Sequence, residues 1–160
     1  MSDNKYDQYF KEAQEIYLPF HDWRLLKAQC YQESRLNPDA QSPVGAKGVC
    51  QFMDGTWKDM GINESVWEAE WNILMAGKYM RRLYKGWSSP RPEIDRYSLA
   101  LASYNAGFGN ILKAQKECGG STLYSEIMKC LPDVTGKNSV ETINYVKYIW
   151  NYYVKLVIGI

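Results

Sequence analysis

The chain has 160 residues, of which 46% are hydrophobic and 23% charged, a balance typical of a folded globular protein and not of a disordered or low-complexity chain. This length suits one domain with its own hydrophobic core, so a single domain is predicted over residues 1–160. The formal net charge of +1 gives no excess of basic side chains for neutralising phosphates, so no nucleic-acid partner is predicted.

Several further classes of protein are disfavoured by the residue pattern. No run of about 18 uninterrupted apolar residues exists, so no membrane span is predicted. The first 20 residues are too polar for the apolar core of a signal peptide, which predicts another export route or a trimmed mature domain. The chain has one histidine and no C-x-x-C pair, so we expect no metal and no cofactor. His21 lies where a helix should begin, a position more typical of a cap or surface group than of a catalytic base.

Two helices are predicted at the start of the chain. Apolar residues recur at helical spacing from Tyr9 to Tyr17, and Pro19 ends that pattern. Asp22 is placed to cap a second helix that runs from about Trp23 to Arg35.

The second helix carries an acidic residue in an unusual position. Leu26, Cys30 and Glu33 follow one another at intervals of four and three residues, so Glu33 lies on or beside the apolar stripe and not on the solvated side. Desolvation there would raise the pKa of the carboxyl group and let it donate a proton near neutral pH. A structural or exposed glutamate is the alternative interpretation.

The rest of the chain predicts one small β-element among helices. Residues 37–48 are rich in Asn, Pro, Ser and Gly, and Val44–Phe52 carries two glycines that favour a short β-hairpin. The fold class is therefore predicted as α+β, mostly α. The further predicted helices are Thr56–Met60, Trp71–Tyr84, Ile94–Tyr104, one through Ile111 and Leu112, Leu123–Leu131, and a last one capped by Ser139 that extends to Tyr153.

Four segments place polar side chains where chemistry is plausible, although each also has a structural explanation. They are Gln32-Glu33-Ser34, the glycine-rich segment Val44–Met53, Ala102–Gly107 and Glu141–Val146. Taken singly, they are explained by an exposed acid, a hairpin, a helix C-cap at Gly107 and an acidic first turn, respectively.

In this order and at these separations, the four segments resemble the SLT-type lytic transglycosylase domain, which has a goose-lysozyme-like fold. The motifs of that family are an E-S pair, G-x-x-G-x-x-Q-x-M, Y-N-A-G and E-T-x-x-Y-V. They correspond here to Glu33-Ser34, Gly45–Met53, Tyr104–Gly107 and Glu141–Val146. The resemblance extends from about Asp22 to Tyr153, and it implies a lysozyme-like fold with the hairpin beside the catalytic helix.

The resemblance also implies an activity and a set of site residues. Glu33 would be the catalytic acid and base for cleaving the bond between N-acetylmuramic acid and N-acetylglucosamine in peptidoglycan glycan strands, with a 1,6-anhydro product. The residues that would line or support the groove are Ser34, Gln51, Met53, Tyr104, Asn105, Glu141 and Tyr145.

Two positions depart from the family pattern. Cys50 stands where methionine is common, and Asp54 stands where proline often follows the last methionine of the motif. Asp54 is predicted to cap the next helix. The alternative is a second carboxylate near the groove, which would allow some hydrolysis.

Two other functions stay open at this stage. A muramidase would use water with Asp39, Asp54 or Glu141 as its second carboxylate. A wall-binding or structural domain would keep the groove without turnover, although the presence of Glu33 argues against it.

The setting follows from the same features. The chain is expected to act on the bacterial cell wall as a monomer, in the periplasm or from outside. Because no signal peptide is found, a phage enzyme carried in the virion or released from the cytoplasm by a holin is favoured.

The four cysteines allow one specific pairing to be predicted. Cys118 and Cys130 are separated by a short stretch around Gly119-Gly120, and a disulfide between them would stabilise the fold by roughly 3 kcal/mol in the chain-entropy model. Two buried free thiols in a reducing cytoplasm are the alternative.

Overall fold

The computed structural model describes residues 3–160. Within this range the chain forms two compact units, one made of the residues up to Arg81 together with Ile149–Ile160, the other of Arg82–Tyr148. The mostly helical architecture predicted from the sequence is confirmed. The helices in the described range are α1 Asp7–Tyr17, α2 Trp23–Ser34, α3 Asp54–Asp59, α4 Ala69–Gly86, α5 Glu93–Ala106, α6 Phe108–Glu117, α7 Tyr124–Cys130, α8 Pro132–Thr135 and α9 Asn138–Ile158. None of these is long and apolar enough to cross a membrane.

Both ends of α2 are set by single residues. Asp22 caps the helix as predicted, because its Oδ1 accepts a hydrogen bond from the Arg24 backbone N at 3.0 Å. Arg35 follows the last helical residue with a φ of 57°, and Leu36 has a φ of 63°. Two successive left-handed residues do not continue a right-handed helix, so the chain turns away directly after Glu33-Ser34.

In the first unit, α1 and α2 pack on each other through apolar side chains and one buried cation. Phe10 of α1 and Leu26 of α2 are almost wholly buried. Lys27 is also buried, and its ammonium group pairs with Asp7 at 2.6 Å and donates to the Asp3 carbonyl at 2.8 Å. Because this buried charge is paired and hydrogen-bonded, removing its partner would cost more than the pair contributes.

The predicted β-hairpin over Val44–Phe52 is not confirmed. This region forms turns with two isolated antiparallel bridges, Gln41 to Lys47 and Lys47 to Phe52, and no strand is assigned in residues 3–160. The backbone is left-handed at three places that interrupt any extended run: Gly45, Gly48 and Gln51. An antiparallel ladder needs consecutive extended residues, so it ends after one bridge at each point.

Asp54 does not cap α3, which corrects a second prediction. Met53 occupies the N-cap position without a side-chain hydrogen bond, and Asp54 is the first helical residue. The Asp54 carboxylate instead accepts from the Lys47 ammonium group at 2.9 Å. An acidic residue in the first turn is still favourable there, because it faces the positive end of the helix dipole.

The second unit is organised around α5. Its residues Tyr97–Ser103 are all buried, and α6 and α7 pack against it. Trp87 is buried at the edge of this core, where its Nε1 donates to the Ser103 hydroxyl at 3.0 Å. Gly107, with a φ of 94°, ends α5 and begins α6, which confirms the predicted C-cap.

The beginning of α9 differs from the prediction. The helix starts at Asn138, so Ser139 is its second residue and not its N-cap. The stretch predicted as a turn over Pro132–Lys137 contains the short helix α8, which has proline at its first position. Glu141 lies in the first turn of α9, as predicted.

Two disulfides staple the described chain. Cys118 and Cys130 are bonded, with Cα atoms 5.7 Å apart, which confirms the predicted pairing and excludes the free thiols. The second disulfide joins Cys30 of α2 to Cys50, with Cα atoms 4.5 Å apart. This second bond was not predicted from the sequence.

Candidate active site

Glu33 lies in the last turn of α2, where the helix leaves the core of the first unit. The six residues Leu25–Cys30 are buried, and the four that follow, Tyr31–Ser34, are half-buried. The Glu33 side chain is therefore at the boundary between the apolar interior and solvent, as its predicted position beside the apolar stripe requires. A carboxyl group at such a boundary is open to a substrate and is partly desolvated.

Ser34 connects the end of α2 to the glycine-rich segment. Its hydroxyl donates to the Val49 carbonyl at 2.6 Å and accepts from the Asn37 backbone N at 3.2 Å. One side chain thus fixes both the segment beside Glu33 and the turn that ends the helix.

A buried amide also holds the same segment. Asn72 of α4 accepts from the Cys50 backbone N at 2.7 Å and donates to the carbonyls of Val66 and Lys47 at 2.8 and 3.3 Å. Gly48 makes this approach possible, because a Cβ atom on it would lie 2.3 Å from the Asn72 amide nitrogen. The Asn72 side chain is wholly buried, so it acts on the backbone of the segment and not on a substrate.

The remaining candidates of the first unit differ in exposure. Gln51 has a φ of 53°, and its Nε2 donates to the Ala40 and Gly48 carbonyls at 3.0 and 2.9 Å. Its donor hydrogens are therefore used to hold the turn, and the acceptor oxygen is the part of the amide that could meet a ligand. Met53 is 45% exposed at the start of α3, so it offers a flexible apolar side chain to solvent.

The other four predicted site residues lie in the second unit. Tyr104 and Asn105 end α5 and are half-buried, while Tyr145 is buried and Glu141 is exposed on α9. The Asn105 Oδ1 accepts from the Thr142 hydroxyl at 2.8 Å, which ties the end of α5 to the N-terminal part of α9. Within this unit, the Y-N-A-G and E-T-x-x-Y-V segments are therefore in direct contact.

The three carboxylates considered as a second catalytic group are all exposed: Asp39, Asp54 and Glu141. Asp54 forms an ion pair with the ammonium group of Lys47. Among the described contacts, neither Asp39 nor Glu141 forms an ion pair. Residues 3–160 contain no cluster of three or more His, Cys, Asp or Glu side chains that could bind a metal ion.

Three supporting features at these sites were missed by the sequence reasoning. They are the Cys30–Cys50 disulfide, the Asn72 amide and the Thr142 hydroxyl. The cysteines were open to prediction, since Cys30 is three residues before Glu33 and Cys50 is next to Gln51. The T of the E-T-x-x-Y-V motif is Thr142 itself. Asn72 gave no comparable indication, because a polar residue at the start of a helix is ordinary.

The helical fold and the arrangement of motifs within each unit define a class. Residues 8–124 match the transglycosylase SLT domain, so the chain belongs to the transglycosylase SLT domain family. The matched range contains six of the predicted site residues and ends before Glu141 and Tyr145.

Two curated relatives are both membrane-bound lytic murein transglycosylase F. The protein of Pseudoalteromonas translucida is 38% identical over 132 residues, which are 80% of this chain and 27% of the relative. That of Shewanella woodyi is 40% identical over 114 residues, or 71% and 23% of the two chains. The chain thus spans about a quarter of the length of these relatives.

A solved structure has the same fold. The 70 kDa soluble lytic transglycosylase of Escherichia coli superposes with a TM-score of 0.75 at 25% identity, covering 98% of this chain and 25% of that one. The predicted mostly helical, lysozyme-like fold is thereby confirmed, apart from the β-hairpin.

Proposed function

We propose that this chain is a peptidoglycan lytic transglycosylase that uses Glu33 as its single catalytic acid and base. The observation that carries the proposal is the position of Glu33 on the last, half-buried turn of α2, inside the range that matches the family. The names of the relatives, which are lytic murein transglycosylases, support the same reaction. The substrate is the β-1,4 bond between N-acetylmuramic acid and N-acetylglucosamine.

In the first step, Glu33 acts as an acid. Its carboxyl group donates a proton to the glycosidic oxygen, which leaves with the departing sugar, and the bond from that oxygen to C1 of the muramyl residue breaks. The positive charge that develops at C1 is stabilised by the acetamido group of the substrate itself, so no carboxylate nucleophile of the enzyme is needed.

In the second step, Glu33 acts as a base. It removes the proton of the muramyl C6 hydroxyl, whose oxygen attacks C1 and closes the 1,6-anhydro ring. The carboxyl group is protonated again at the end, and no water is consumed. Both steps require a carboxyl group that changes its protonation state readily, which a partly desolvated position favours.

We assign supporting roles to the other motif residues. Ser34 and Gln51 keep the glycine-rich segment folded beside α2 through their bonds to Val49, Ala40 and Gly48. Met53 offers an apolar surface for a sugar ring. In the second unit, Tyr104, Asn105 and Glu141 are assigned to lining the glycan groove and the buried Tyr145 to supporting it, from their places in the family motifs. Asn105 is held by Thr142.

The product separates this reaction from hydrolysis. Digestion of purified sacculi should release muropeptides that end in 1,6-anhydro-N-acetylmuramic acid, each lighter by one water than the reducing-end product of a muramidase. Mass spectrometry of the digest measures this directly. Reducing-end products alone would contradict the proposal, and a mixture would be traced with Asp54→Ala and Asp39→Ala.

The catalytic residue is tested with a matched pair of variants. Glu33→Gln keeps the shape of the side chain and removes its acidity, so we expect a loss of turnover at or above the upper end of the roughly 10²–10⁴-fold typical of acid–base catalysis. Glu12→Gln changes a half-buried glutamate of α1, outside the four motifs, and should leave the rate unchanged. Equal clearing of sacculi by wild type and Glu33→Gln would refute the assignment. Sacculus pull-down should find that both variants still bind.

The wider assignments are part of the same proposal. We propose that residues 1–160 work as one catalytic domain and as a monomer on glycan strands of the bacterial cell wall. The phage setting stays a prediction. Size-exclusion chromatography with light scattering tests the monomer, and a dimer mass would contradict it.

A further inference from the structure

The last turn of α2 and the glycine-rich segment are joined by one covalent bond and one short hydrogen bond. Cys30, three residues before Glu33, is bonded to Cys50, and both side chains are fully buried. Ser34, directly after Glu33, donates to the Val49 carbonyl at 2.6 Å. These two links flank Glu33 in the sequence and end on adjacent residues of the segment.

The segment needs such links because its backbone is intrinsically permissive. It contains Gly45 and Gly48 and has a left-handed residue at Gln51. Glycine loses more conformational freedom on folding than any other residue, and no strand ladder holds this region. Its geometry therefore depends on contacts made from outside, of which the Cys30–Cys50 bond is the only covalent one among the described residues.

We infer that the Cys30–Cys50 disulfide is a positioning element for the reaction assigned to Glu33: it fixes the Glu33-bearing turn against the segment that carries Gln51 and Met53, so that kcat depends on it. This inference rests on the proposed function. A misplacement of about 1 Å in an active site costs on the order of 100-fold in rate. Loss of the bond therefore lowers kcat by tenfold or more and changes KM much less.

The second disulfide supplies a matched control within the same chain. Cys118 and Cys130 lie 12 residues apart in sequence, against 20 for the first pair, and the entropy of loop closure depends only weakly on such a difference. The variant Cys118→Ala with Cys130→Ala should therefore lose about as much stability as Cys30→Ala with Cys50→Ala. Only the latter is expected to lose kcat.

Kinetics are measured on solubilised, uncrosslinked glycan strands, well below the melting temperature of each variant. If the Ala pair at positions 30 and 50 does not fold, Cys30→Ala with Cys50→Val restores apolar volume without restoring the bond, and it takes the place of that pair. A kcat within twofold of wild type in this folded variant would overturn the inference. An equal loss of kcat in the Cys118 and Cys130 pair would also overturn it, because it would show a general effect of lost stability.

A reversible arm compares one polypeptide in two oxidation states. The chain with Cys118→Ala and Cys130→Ala is unfolded in urea in the presence of dithiothreitol, which supplies two electrons and two protons to the remaining disulfide and leaves as its own cyclic disulfide. After refolding under reductant, kcat should be tenfold or more lower. A second portion of the reduced chain is refolded from urea with oxidised glutathione, which takes up two electrons and two protons from the thiols of Cys30 and Cys50, and kcat should return with the bond. Full activity in the folded dithiol form would overturn the inference.

Failure of the inference is distinguishable from failure of the proposed function. If the wild-type chain yields no 1,6-anhydro products, the proposed reaction is wrong. The positioning of the segment is then read from amide hydrogen exchange at positions 50 and 52, which should accelerate at least tenfold in the Cys30 and Cys50 variants and stay unchanged in the control pair. Unchanged exchange at both positions would overturn the inference independently of any activity.

Discussion

Substitution of Asn72 should be among the most destabilising single polar changes in the first unit. Asn72→Ala removes one acceptor and two donor contacts, and it leaves the buried Cys50 backbone N and the Lys47 and Val66 carbonyls without this partner. A buried polar group left without its hydrogen bond costs about 1–3 kcal/mol. With one wholly buried N–H and two carbonyls affected, we expect the free energy of unfolding to fall by about 3 kcal/mol.

The assay is urea unfolding followed by circular dichroism, with thermal unfolding as a second measure. For a chain of this size, 1 kcal/mol corresponds to about 2–4 °C, so the melting temperature of Asn72→Ala should fall by about 6–12 °C. Asn110→Ala is the control: Asn110 lies in α6, and its Nδ2 donates to the carbonyl of Ala106, the last residue of α5. We expect a change below about 0.5 kcal/mol.

The chemistry of the amide can be separated from its volume. Asn72→Asp keeps an acceptor for the Cys50 N–H but loses the two donors and sets a negative charge against the Lys47 and Val66 carbonyls. It should be at least as destabilising as Asn72→Ala at neutral pH. A loss below about 1 kcal/mol in Asn72→Ala would refute the reasoning that this amide holds the segment.

Three other predictions follow from single side chains. Burial alone would raise the pKa of Asp22, but hydrogen bonds from Arg24 outweigh this effect and lower that pKa overall. The Asp22 carboxylate therefore stabilises the fold at pH values above its unfolded pKa. This contribution to stability is lost as the pH falls through the lower pKa of the folded state. Asp22→Asn should accordingly differ from wild type in unfolding free energy at pH 6 and converge with it near pH 2, and a difference independent of pH would contradict this. Tyr124→Phe should be neutral or stabilising by up to about 1 kcal/mol in urea unfolding, because the buried hydroxyl has no hydrogen-bond partner in the described part of the chain. A clear loss of unfolding free energy in this variant would contradict the prediction. Gly48→Ala should fold poorly, because the φ of 86° is strained for alanine and the new Cβ would lie 2.3 Å from the Asn72 amide nitrogen, and a wild-type melting temperature would show that reasoning to be wrong.

Much of the helical framework was predictable because it depends on residues close together in sequence. Pro19 and Asp22 set the boundary between α1 and α2, and Gly107 sets the boundary between α5 and α6. The intervals from Leu26 through Cys30 to Glu33 placed Glu33 beside the apolar stripe. Four ordered motifs then indicated the family from residue types and spacing alone.

Local rules failed where two residues compete for one role. Asp54 and Ser139 are good capping residues by type, yet Asp54 is the first residue of α3 and Ser139 is the second residue of α9. The N-cap of α3 is Met53, and Asp54 is engaged by Lys47 from across the turn. A helix boundary depends on where the preceding chain leaves the packed structure, and capping preference contributes only about 1 kcal/mol to that choice.

What the sequence by itself determined was therefore the helical class, the family and the identity of the candidate acid, while the predicted short-range Cys118–Cys130 bond still had two free thiols as its alternative. What only the tertiary structure decided was how the glycine-rich segment is held: by Cys30, Ser34 and Asn72, and not by the strand pairing that its glycines had suggested. The physical reason is distance along the chain. Cys30 and Asn72 lie 20 and 22 residues from Cys50, and contacts of that range exist only once α2 and α4 have packed against the segment.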